Sequence, residues 1–535
     1  MTGEADRRNV PRRVPGPPAG ALRLADVLAS VSLLADLGFG LPAEESMRAC
    51  LISTALARHV GLGDMDVADV FYTALLQHLG CNGYAHEAAA RYGDELAMNA
   101  AAARTNLADG RDVVATYLRA VTTGRRPLDR ARIVLLELFG GSTVGRQYAS
   151  AACEVGRATA RRLGLSEGVQ RGLTEVYEVW NGKGGAYGLK GDAISLPARF
   201  AQVGAVAALF AHLGGREIAT KAVRQQAGSA LDPWLAGAFV DFASAIPRVL
   251  DLDDVHAAVL DAEPSPHVSV APSRLPDTAL AIADVADLKS TFTLGHSAGV
   301  ADLARAAGER LGLDGPTGTT LQVAALLHDV GRVGVSDSVW ERPGPLSDAQ
   351  WEQVRLHAYQ SERILVRSPA LKPAGVIAGL HHERLDGSGY HRGSRARDLS
   401  MPARILAAAD VYQAMTQTRA HRPKLPPEEA AAQLQQEVRA GRLDPDASAA
   451  VLDAAGAATR RVRRETPAGL SEREVEVLQA LTRGLTNRQI ADRFAISPRT
   501  AEHHVQHIYA KIGESSRAAA ALFAMEHNLL DQPNG

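Results

Sequence analysis

The chain contains an internal repeat, and this repeat limits its possible architectures more than any other feature of the sequence. At a constant offset of 205 residues, eight positions carry the same residue in two distant stretches. The matching pairs are Glu178 and Glu383, Gly182 and Gly387, Gly184 and Gly389, Gly188 and Gly393, Ser195 and Ser400, Pro197 and Pro402, Ala198 and Ala403, and Arg199 and Arg404. Upstream, ALLQHLG (74–80) aligns with ALLHDVG (325–331) at an offset of 251. Because self-similarity at a held offset indicates repeated units, we predict two related units, with an insertion in the first.

The secondary structure of both copies is predicted to be helical. From Ala21 onward apolar residues recur every three or four positions and alanine is abundant, which is typical of amphipathic helices. Proline-rich and arginine-rich stretches interrupt this pattern and predict linkers. The predicted organisation is a disordered tail (1–20), a first copy (21–259), a linker (260–278), a second copy (279–457), an arginine-rich linker (458–469) and a C-terminal unit (470–535). The expected fold class is all-α.

Composition excludes several classes of protein. With 46% apolar and 22% charged residues among 535, the chain has the balance of a soluble multidomain protein. Its net charge of −2 means that any contact with nucleic acid must be local. The three cysteines form no CxxC pair, which argues against a disulfide scaffold or a thiolate zinc site. No apolar run approaches about 18 residues, so we expect no membrane span and a cytoplasmic protein.

The second copy carries histidines and aspartates in a pattern that predicts a metal centre. His-Asp alone is a weak motif, and a lone histidine is more often a satisfied core or surface imidazole. Here, however, several such residues fall at the ends or within apolar helices, where a carboxylate is costly to bury unless it is paired or bound. The candidates are His296, His328, Asp329, His357, His381, His382 and Asp410. Imidazole and carboxylate together suit Zn, Fe or Mn, and this number of ligands suffices for two ions bridged by one carboxylate such as Asp329.

These motifs resemble the HD-GYP family, the cyclic-di-GMP phosphodiesterase branch of the HD superfamily. The resemblance covers roughly residues 279–434 and rests on His296, His328-Asp329, His357, HHERLDGSGY (381–390) and Asp410. It implies an all-α domain that hydrolyses cyclic-di-GMP to the linear dinucleotide or GMP at a centre of divalent metals, with Fe or Mn expected here. The seven residues above would be metal ligands and Asp329 would bridge. The resemblance further implies roles in catalysis for Asp329 and Arg332, in substrate binding for Arg332, Tyr390, Arg419 and Arg422, and in support of the ligands for Glu383 and Asp386.

The chain departs from the family pattern at three positions. Arg332 stands where the family usually has lysine, and His391 replaces the proline of Gly-Tyr-Pro. Phe292 stands where members with three metals have a glutamate. Two metal ions are therefore expected rather than three.

The first copy serves as an internal control for the metal hypothesis. His328-Asp329 aligns with Gln77-His78, and His296 aligns with Glu45. The His381-His382 pair aligns with Val176-Tyr177, and Asp410 aligns with Ala205. Since the glycine turn survives there without these side chains, the histidines of the second copy are predicted to serve a metal. The first copy is expected to be metal-free and to act in dimerisation, sensing or scaffolding.

The C-terminal unit is predicted to bind DNA. Ser471 with Glu474 forms a capping box, and Ser497-Pro498 starts a helix whose stripe of Ala501, Val505, Ile508 and Ile512 would face the core. The sequence resembles LuxR/NarL-type helix-turn-helix domains in LSEREVEVL, GLTNRQIA, ISPRTAEHHV and KIG. That resemblance implies a recognition helix at 498–512 and double-stranded DNA as a partner. The residues expected to contact DNA are Arg499, Thr500, His503, Gln506 and Lys511, with Arg460, Arg461, Arg463 and Arg464 able to reach phosphates.

The sequence leaves three functions open. The first is a metal-dependent phosphodiesterase acting on cyclic-di-GMP, coupled to transcriptional output and expected to dimerise. The second is a transcription regulator that senses a nucleotide with little or no hydrolysis. The third is an HD phosphohydrolase for a different phosphoester, because a fold does not settle the substrate. A protein-interaction role remains the alternative for the C-terminal helices.

Overall fold

A computed structural model describes residues 21–123, 126–245, 249, 251–458 and 467–530. Within these residues the chain is almost wholly helical, which confirms the all-α prediction. The described part holds one pair of two-residue strands, β1 (Leu22–Arg23) and β2 (Ser269–Val270), paired antiparallel. The predicted disordered tail and the four arginines of the second linker lie outside the described residues.

The helices of each copy are as follows. The first copy holds α1 (Leu24–Phe39), α2 (Glu45–His59), α3 (Asp64–Leu76), α4 (Ala85–Tyr92), α5 (Glu95–Ala103), α6 (Gly110–Asp112), α7 (Arg119–Thr122), α8 (Pro127–Arg162), α9 (Glu167–Glu175), α10 (Leu196–Gln226), α11 (Pro233–Phe242) and α12 (Val255–Ala262), with a π-helical turn at Val113–Leu118. The second copy holds α13 (Leu275–Asp287), α14 (His296–Arg310), α15 (Gly315–Leu327), α16 (Asp337–Trp340), α17 (Asp348–Leu365), α18 (Lys372–Ala378), α19 (Met401–Thr416), α20 (Pro427–Arg439) and α21 (Pro445–Ala458).

The same hydrogen bonds recur in both copies at the start of the repeat. Asp36 accepts hydrogen bonds from the backbone N and the Oγ of Ser46, at 3.0 and 2.6 Å. Asp287 accepts the equivalent bonds from Ser297, at 3.0 and 2.8 Å. These bonds fix the entry of α2 and of α14, so the duplication predicted from sequence extends to the local structure.

The glycine turns are built alike as well. The carboxylate of Glu178 accepts hydrogen bonds from the backbone N of Tyr187 and Leu189, at 2.8 and 2.7 Å. Glu383 accepts the corresponding bonds from Arg392 and Ser394, at 2.7 and 2.8 Å. In each copy a buried glutamate thus accepts hydrogen bonds from backbone donors of the loop. This role explains, without any metal, why both copies carry glutamate at this position.

In each copy a glycine packs closely against the backbone of a later helix, and the predicted insertion lies between these two contact points in the first copy. A Cβ on Gly80 would lie 1.9 Å from the Ala152 carbonyl oxygen, and a Cβ on Gly331 would lie 2.1 Å from that of His357. Between these fixed points the first copy is 46 residues longer. The extra chain forms α4 to α7 and the beginning of α8, which pack around Tyr92, Met98 and Tyr117.

The two copies share one core rather than forming separate globules. A single buried cluster contains Leu28 and Leu75 of the first copy together with Leu327 and Ile405 of the second. The segment predicted as a linker, 260–278, is ordered: it includes the end of α12, the strand β2 and the start of α13. Arg23 pairs with Glu263 across this junction. The pairing of β2 with β1 orders the segment 260–278, for which the prolines alone predict a flexible linker.

The C-terminal unit has the predicted caps and helix order. It consists of α22 (Glu472–Thr482), α23 (Asn487–Phe494), α24 (Pro498–Ile512) and α25 (Arg517–Glu526). Ser471 and Glu474 form the capping box, and Ser497 caps α24. The unit is docked on the first copy: Arg157 donates two hydrogen bonds of 2.8 Å to Glu514, and Glu154 accepts one of 2.9 Å from the backbone N of Ser516.

One described helix, α10, is long and apolar enough to cross a membrane by length and composition, with a mean hydropathy of 1.3. Half of that window is buried inside the protein, and the helix is interrupted at Gly214 and Gly215, whose backbone angles are not helical. Core helices of soluble proteins meet the same criterion, so α10 is weak evidence for a span.

Candidate metal centre

Five helical segments bring the seven predicted metal ligands to one buried centre. His296 begins α14, His328-Asp329 ends α15, His357 lies in α17, His381-His382 follows α18, and Asp410 lies in α19. Six of the seven are at most 5% exposed, whereas the side chain of His382 is 20% exposed. Residues separated by more than a hundred positions thus share one pocket, and their role as ligands remains a prediction that this geometry supports.

The backbone orients three of the imidazoles toward the centre. The Nδ1 atom of each donates a hydrogen bond to the carbonyl three residues earlier: His328 to Ala325 at 2.8 Å, His381 to Ala378 at 2.7 Å, and His357 to Val354. A carbonyl oxygen can only accept, so Nδ1 carries the proton and Nε2 presents its lone pair. Such an arrangement fixes the tautomer required of a metal ligand.

The carboxylate of Asp329 faces a different set of histidines with each oxygen. Its Oδ1 lies 3.2 Å from His357 Nε2 and 3.5 Å from His381 Nε2. Its Oδ2 lies 3.6 Å from His328 Nε2 and 3.8 Å from His296 Nε2. This is the placement that a carboxylate bridging two ions requires.

Asp410 completes the second of these two sets. Its Oδ1 lies 3.2 Å from His296 Nε2 and 3.8 Å from His328 Nε2, and its Oδ2 lies 3.8 Å from His382 Nδ1. The sequence predicts that an aspartate on an apolar helix is paired or bound, and three imidazoles lie within 3.8 Å of Asp410.

The donor set fits a bound cation. His357 Nε2 and His381 Nε2, whose lone pairs both point inward, lie only 3.2 Å apart. Among the described residues, the buried atoms His328 Nε2 and Asp329 Oδ1 have no hydrogen-bond partner. Facing lone pairs repel, and unpaired buried polar atoms cost stability, so a cation between them satisfies both. Groups of three donors within 4.8 Å of one another occur on both sides of Asp329.

The electrostatics of the centre favour neutral imidazoles and ionised carboxylates. Burial lowers the pKa of His328 to about 4, and burial also lowers the pKa of His357 and of His382. Burial opposes ionisation of Asp329, but the charges of His328 and Arg332 hold its pKa well below the usual value. His381 is the exception: burial acts against its charge, yet Asp329 raises its pKa. Four of these five groups are thus already in the protonation state that metal binding demands.

Arg332 lies beside the centre, next to a tryptophan that the sequence did not single out. Its Nη1 lies 3.3 Å from Asp329 Oδ2, and its guanidinium carbon lies 3.7 Å from the centre of the Trp340 ring. The Trp340 indole donates a 3.1 Å hydrogen bond to the Arg332 carbonyl and packs edge-on against His357. The contact with the Trp340 ring and the ion pair with Asp329 restrict the position of the guanidinium beside the centre.

Gln417 is a second residue that sequence reasoning missed. Its Oε1 lies 2.9 Å from His296 Nδ1, in the role that backbone carbonyls play for the other histidines. The only signal was its place in AMTQTRAHR, the stretch after Asp410.

The two arginines predicted to bind substrate differ in their surroundings. Arg419 is half-buried near the centre, donates a 2.9 Å hydrogen bond to the Phe292 carbonyl, and reaches within 3.3 Å of Gln417 Oε1. The guanidinium of Arg422 donates to the main-chain carbonyls of Met415, Gln417, Pro423 and Ala414. Those bonds tie Arg422 to the end of α19, and its role in binding substrate stays a prediction.

The polar residues of the glycine turn make most of their hydrogen bonds within the loop and not with the predicted metal ligands. Tyr390 stacks near His382, with ring centres 4.7 Å apart. Glu383 holds the loop backbone, as described above, but Asp386 is exposed and accepts only from Ser388, at 2.9 and 2.7 Å. Within the described chain neither carboxylate hydrogen-bonds a predicted ligand side chain, so their expected support of the ligands is indirect. His391 faces away, toward Tyr359.

In the first copy the equivalent positions form a packed polar cluster. His78 stacks on Phe39, and its Nδ1 lies 3.2 Å from the Tyr177 hydroxyl. Burial lowers the pKa of His78 to about 4 and raises that of Glu45 to about 8. Neither carboxylate oxygen of Glu45 has a hydrogen-bond partner among the described residues. These positions of the first copy are thus filled by side chains that pack against one another, and only one of them, His78, is a histidine.

Glu45→Gln is expected to remove a pH-dependent loss of stability. Burial raises the pKa of Glu45 in the folded protein to about 8, above its ordinary value of 4.5, so the folded state binds the proton more tightly. The stabilising effect of this tighter proton binding is fully present below the pKa that Glu45 has in the unfolded chain. It is lost as the pH rises through the pKa that Glu45 has in the folded protein. Between pH 5 and 8 the wild type should therefore lose up to about 1.4 kcal/mol per pH unit relative to the variant. Urea unfolding at several pH values measures this difference, and parallel curves for the two proteins would contradict it.

The predicted DNA contacts fall on the outer face of α24, with one exception. Arg499, Thr500, His503 and Gln506 are exposed, while Ala501, Val505 and Ile508 are buried as predicted. Lys511 is instead engaged within the unit: its Nζ lies 2.6 Å from Glu474 Oε2 and donates to the Gly469 carbonyl. The capping glutamate therefore neutralises the lysine that was expected to reach DNA.

Comparisons with known proteins agree with the fold and with the division into two kinds of domain. Residues 281–447 match the family described as HD domain, and residues 468–524 match bacterial regulatory proteins, luxR family. The chain is 28% identical over 432 residues to the 3'3'-cGAMP-specific phosphodiesterase 3 of Vibrio cholerae serotype O1, covering 80% of this chain and 94% of that relative. It is 38% identical over 137 residues to a cyclic di-GMP phosphodiesterase of Thermotoga maritima, covering 25% of this chain and 37% of that relative. The crystal structure of a cyclic GMP-AMP-specific phosphodiesterase from V. cholerae aligns with a TM-score of 0.55 at 26% identity, covering 82% of this chain and 98% of that one.

An all-helical scaffold around a buried His/Asp centre, joined to a helix-turn-helix unit, defines a metal-dependent hydrolase class with a DNA-binding module. The second copy is an HD domain and the C-terminal unit is a luxR-family domain. The chain is homologous to the HD-GYP phosphodiesterases of cGAMP and cyclic di-GMP.

Proposed function

We propose that this protein is a metal-dependent phosphodiesterase that opens a cyclic dinucleotide at a centre of two divalent ions, with Fe or Mn preferred. The observation that carries the proposal is the position of Asp329, whose two oxygens face separate histidine sets. Phe292, in place of a third-site glutamate, supports two ions rather than three.

The protein's own residues supply positioning and charge around the reacting phosphate. Bound metal ions supply Lewis acidity that activates water and offsets the negative charge of the phosphate. Arg332, which lies over the Trp340 ring, and the half-buried Arg419 offer positive charge beside the centre. A groove of about 360 Å³ is lined by Tyr390, Trp351, Arg355, Asp348 and Glu352. Arg355 pairs with Glu352 at 2.8 Å, so the groove offers a nucleotide base the aromatic rings of Tyr390 and Trp351 rather than a free positive charge.

The substrate is proposed at the level of its chemical class. The V. cholerae relative matched over most of both chains is named for 3'3'-cGAMP, whereas the T. maritima relative is named for cyclic di-GMP. Cyclic-di-GMP was the expectation from sequence, and the first relative adds cGAMP as a second candidate of the same class.

A sensor with little hydrolysis is the second candidate function. It is favoured by Arg422, whose guanidinium is held by four carbonyls, and by the fusion to a domain with an exposed recognition face. Under either candidate we propose double-stranded DNA as the partner of α24, a homodimer on DNA, and a cytoplasmic location, where both DNA and cyclic dinucleotides occur.

Incubation of the anaerobically purified chain with Mn(II) or Fe(II) and each cyclic dinucleotide tests the proposal. The enzyme predicts two metal ions per chain and a linear product from 3'3'-cGAMP, cyclic-di-GMP or both. Tight binding of either compound without product supports the sensor instead. Absence of bound metal after loading would contradict the whole assignment.

A further inference from the structure

A second cluster of metal-ligand side chains lies where the insertion of the first copy meets the second copy. His86 belongs to α4, while Asp337 begins α16 and Glu341 follows it. The Nδ1 atom of His86 lies 2.6 Å from Glu341 Oε2 and 3.5 Å from Asp337 Oδ2. The three donor atoms all lie within 4.8 Å of one another. None of these residues belongs to the centre around Asp329.

The carboxylate of Asp337 is buried without a hydrogen-bond donor. The residue is 1% exposed, and neither oxygen has a hydrogen-bond partner among the described residues. Burial raises its pKa to about 7. Such a group, aimed at a histidine and a second carboxylate, is the expected sign of a missing cation.

The charges around the cluster leave room for a divalent ion. Lys289 is buried and its Nζ lies 2.6 Å from Glu95 Oε1, so these two charges balance. Glu95 also accepts from the backbone N of Asp337 and from Ser336 Oγ, both at 2.8 Å. Asp337 and Glu341 raise the pKa of His86 to about 10, so a protonated His86 offsets one of the two carboxylate charges. A divalent ion that displaces this proton would balance both carboxylates.

We propose that His86, Asp337 and Glu341 bind one divalent transition-metal ion that joins the first copy to the HD domain. One imidazole and two carboxylates suit Mn, Fe or Zn. Bonds of about 2.0–2.2 Å place ligand atoms roughly 3–3.5 Å apart, so small side-chain shifts from the present spacing suffice. The partly exposed His86, with 32% of its side chain accessible, gives the ion a path from solvent.

The position of this site connects it to both functional units. Trp340 stands between Asp337 and Glu341 in sequence and contacts Arg332 and His357 of the metal centre. On the other side, His86 lines a small cavity together with Thr482 and Arg517 of the luxR-family domain. An ion held here therefore ties the insertion, the loop behind the metal centre and the DNA-binding unit together.

Counting bound metal on the full-length protein tests the proposal independently of any activity. Metal-free protein is loaded with Mn(II), desalted and measured by elemental analysis. The wild type should hold one ion more than His86→Ala and one more than Glu341→Gln. Glu87→Gln, which removes a neighbouring carboxylate outside the cluster, should keep the wild-type number. Asp410→Ala should lose ions of the main centre and keep the one at His86.

Two outcomes overturn the proposal. If both His86→Ala and Glu341→Gln melt like the wild type and keep its full number of ions, the cluster is an ion pair and no more. If Asp410→Ala retains no ion, the interdomain ligands do not bind Mn(II) by themselves. Because two different residues of the cluster are replaced, the test still gives an answer if one of the two variants fails to fold.

Discussion

Asp329→Asn is expected to abolish turnover of the cyclic dinucleotide and to lower the metal content of the chain. Each Asp329 oxygen faces its own set of histidine nitrogens at 3.2–3.8 Å, and an amide offers one neutral oxygen in place of two charged ones. Because losing an outer partner of a ligand already costs about 10–100-fold, loss of the bridging carboxylate should lower kcat by more than about 100-fold. Initial rates with Mn(II) and elemental analysis of the same sample measure both effects.

The first copy provides the control for this variant. His78 occupies the position aligned with Asp329, so His78→Gln should leave the metal content of the second copy unchanged. Wild-type turnover and metal content in Asp329→Asn would show that the carboxylate does not bridge metals, and the proposed centre would have to be abandoned.

Gly331→Ala is expected to destabilise the fold strongly and to displace a histidine of the centre. A Cβ at this position would lie 2.1 Å from the His357 carbonyl oxygen and 2.6 Å from the Ser361 backbone N. Both are backbone atoms of α17, so the helix itself must move. Overpacking in a core costs about 1–3 kcal/mol, and this contact with backbone should reach about 3 kcal/mol or more. Urea unfolding measures the loss of stability.

Gly334→Ala is the matched control, since its added Cβ would meet nothing nearer than 3.8 Å. Its free energy of unfolding should change by less than about 1 kcal/mol. Equal stability of the Gly331→Ala and Gly334→Ala proteins would contradict the close approach of α17 to the His-Asp turn.

The glycine repeat and the cluster of histidines and aspartates were predictable because their signals are local. A repeated glycine turn, or a carboxylate in an apolar helix, is visible in a short stretch of sequence. Asp410 is an example, and so is the capping box of Ser471 and Glu474. The comparison between copies added a second signal, because Glu45, Gln77 and His78 stand where the histidine centre has its ligands.

The contacts of long polar side chains within the chain were not predictable. Arg422 and Lys511, which were expected to contact phosphates, also bond the end of α19 and the carboxylate of Glu474. Trp340 and Gln417 were missed, since a tryptophan or glutamine has no ligand chemistry of its own. Each of these roles depends on residues that are near in space but distant in sequence. The partner of a long side chain therefore cannot be identified from the sequence around it.

The sequence by itself determined the helical class, the duplication, the set of candidate ligands and the luxR-family unit, because periodicity, spacing and residue type carry that information. Only the tertiary structure decided that each oxygen of Asp329 faces its own pair of histidines and that the two copies share one core. It also decided that His86, from an insertion absent in the second copy, meets Asp337 and Glu341. The physical reason is that these contacts join residues far apart in sequence, by 342 positions between Asp26 and Ser368, and chain folding, rather than local pattern, sets their distances.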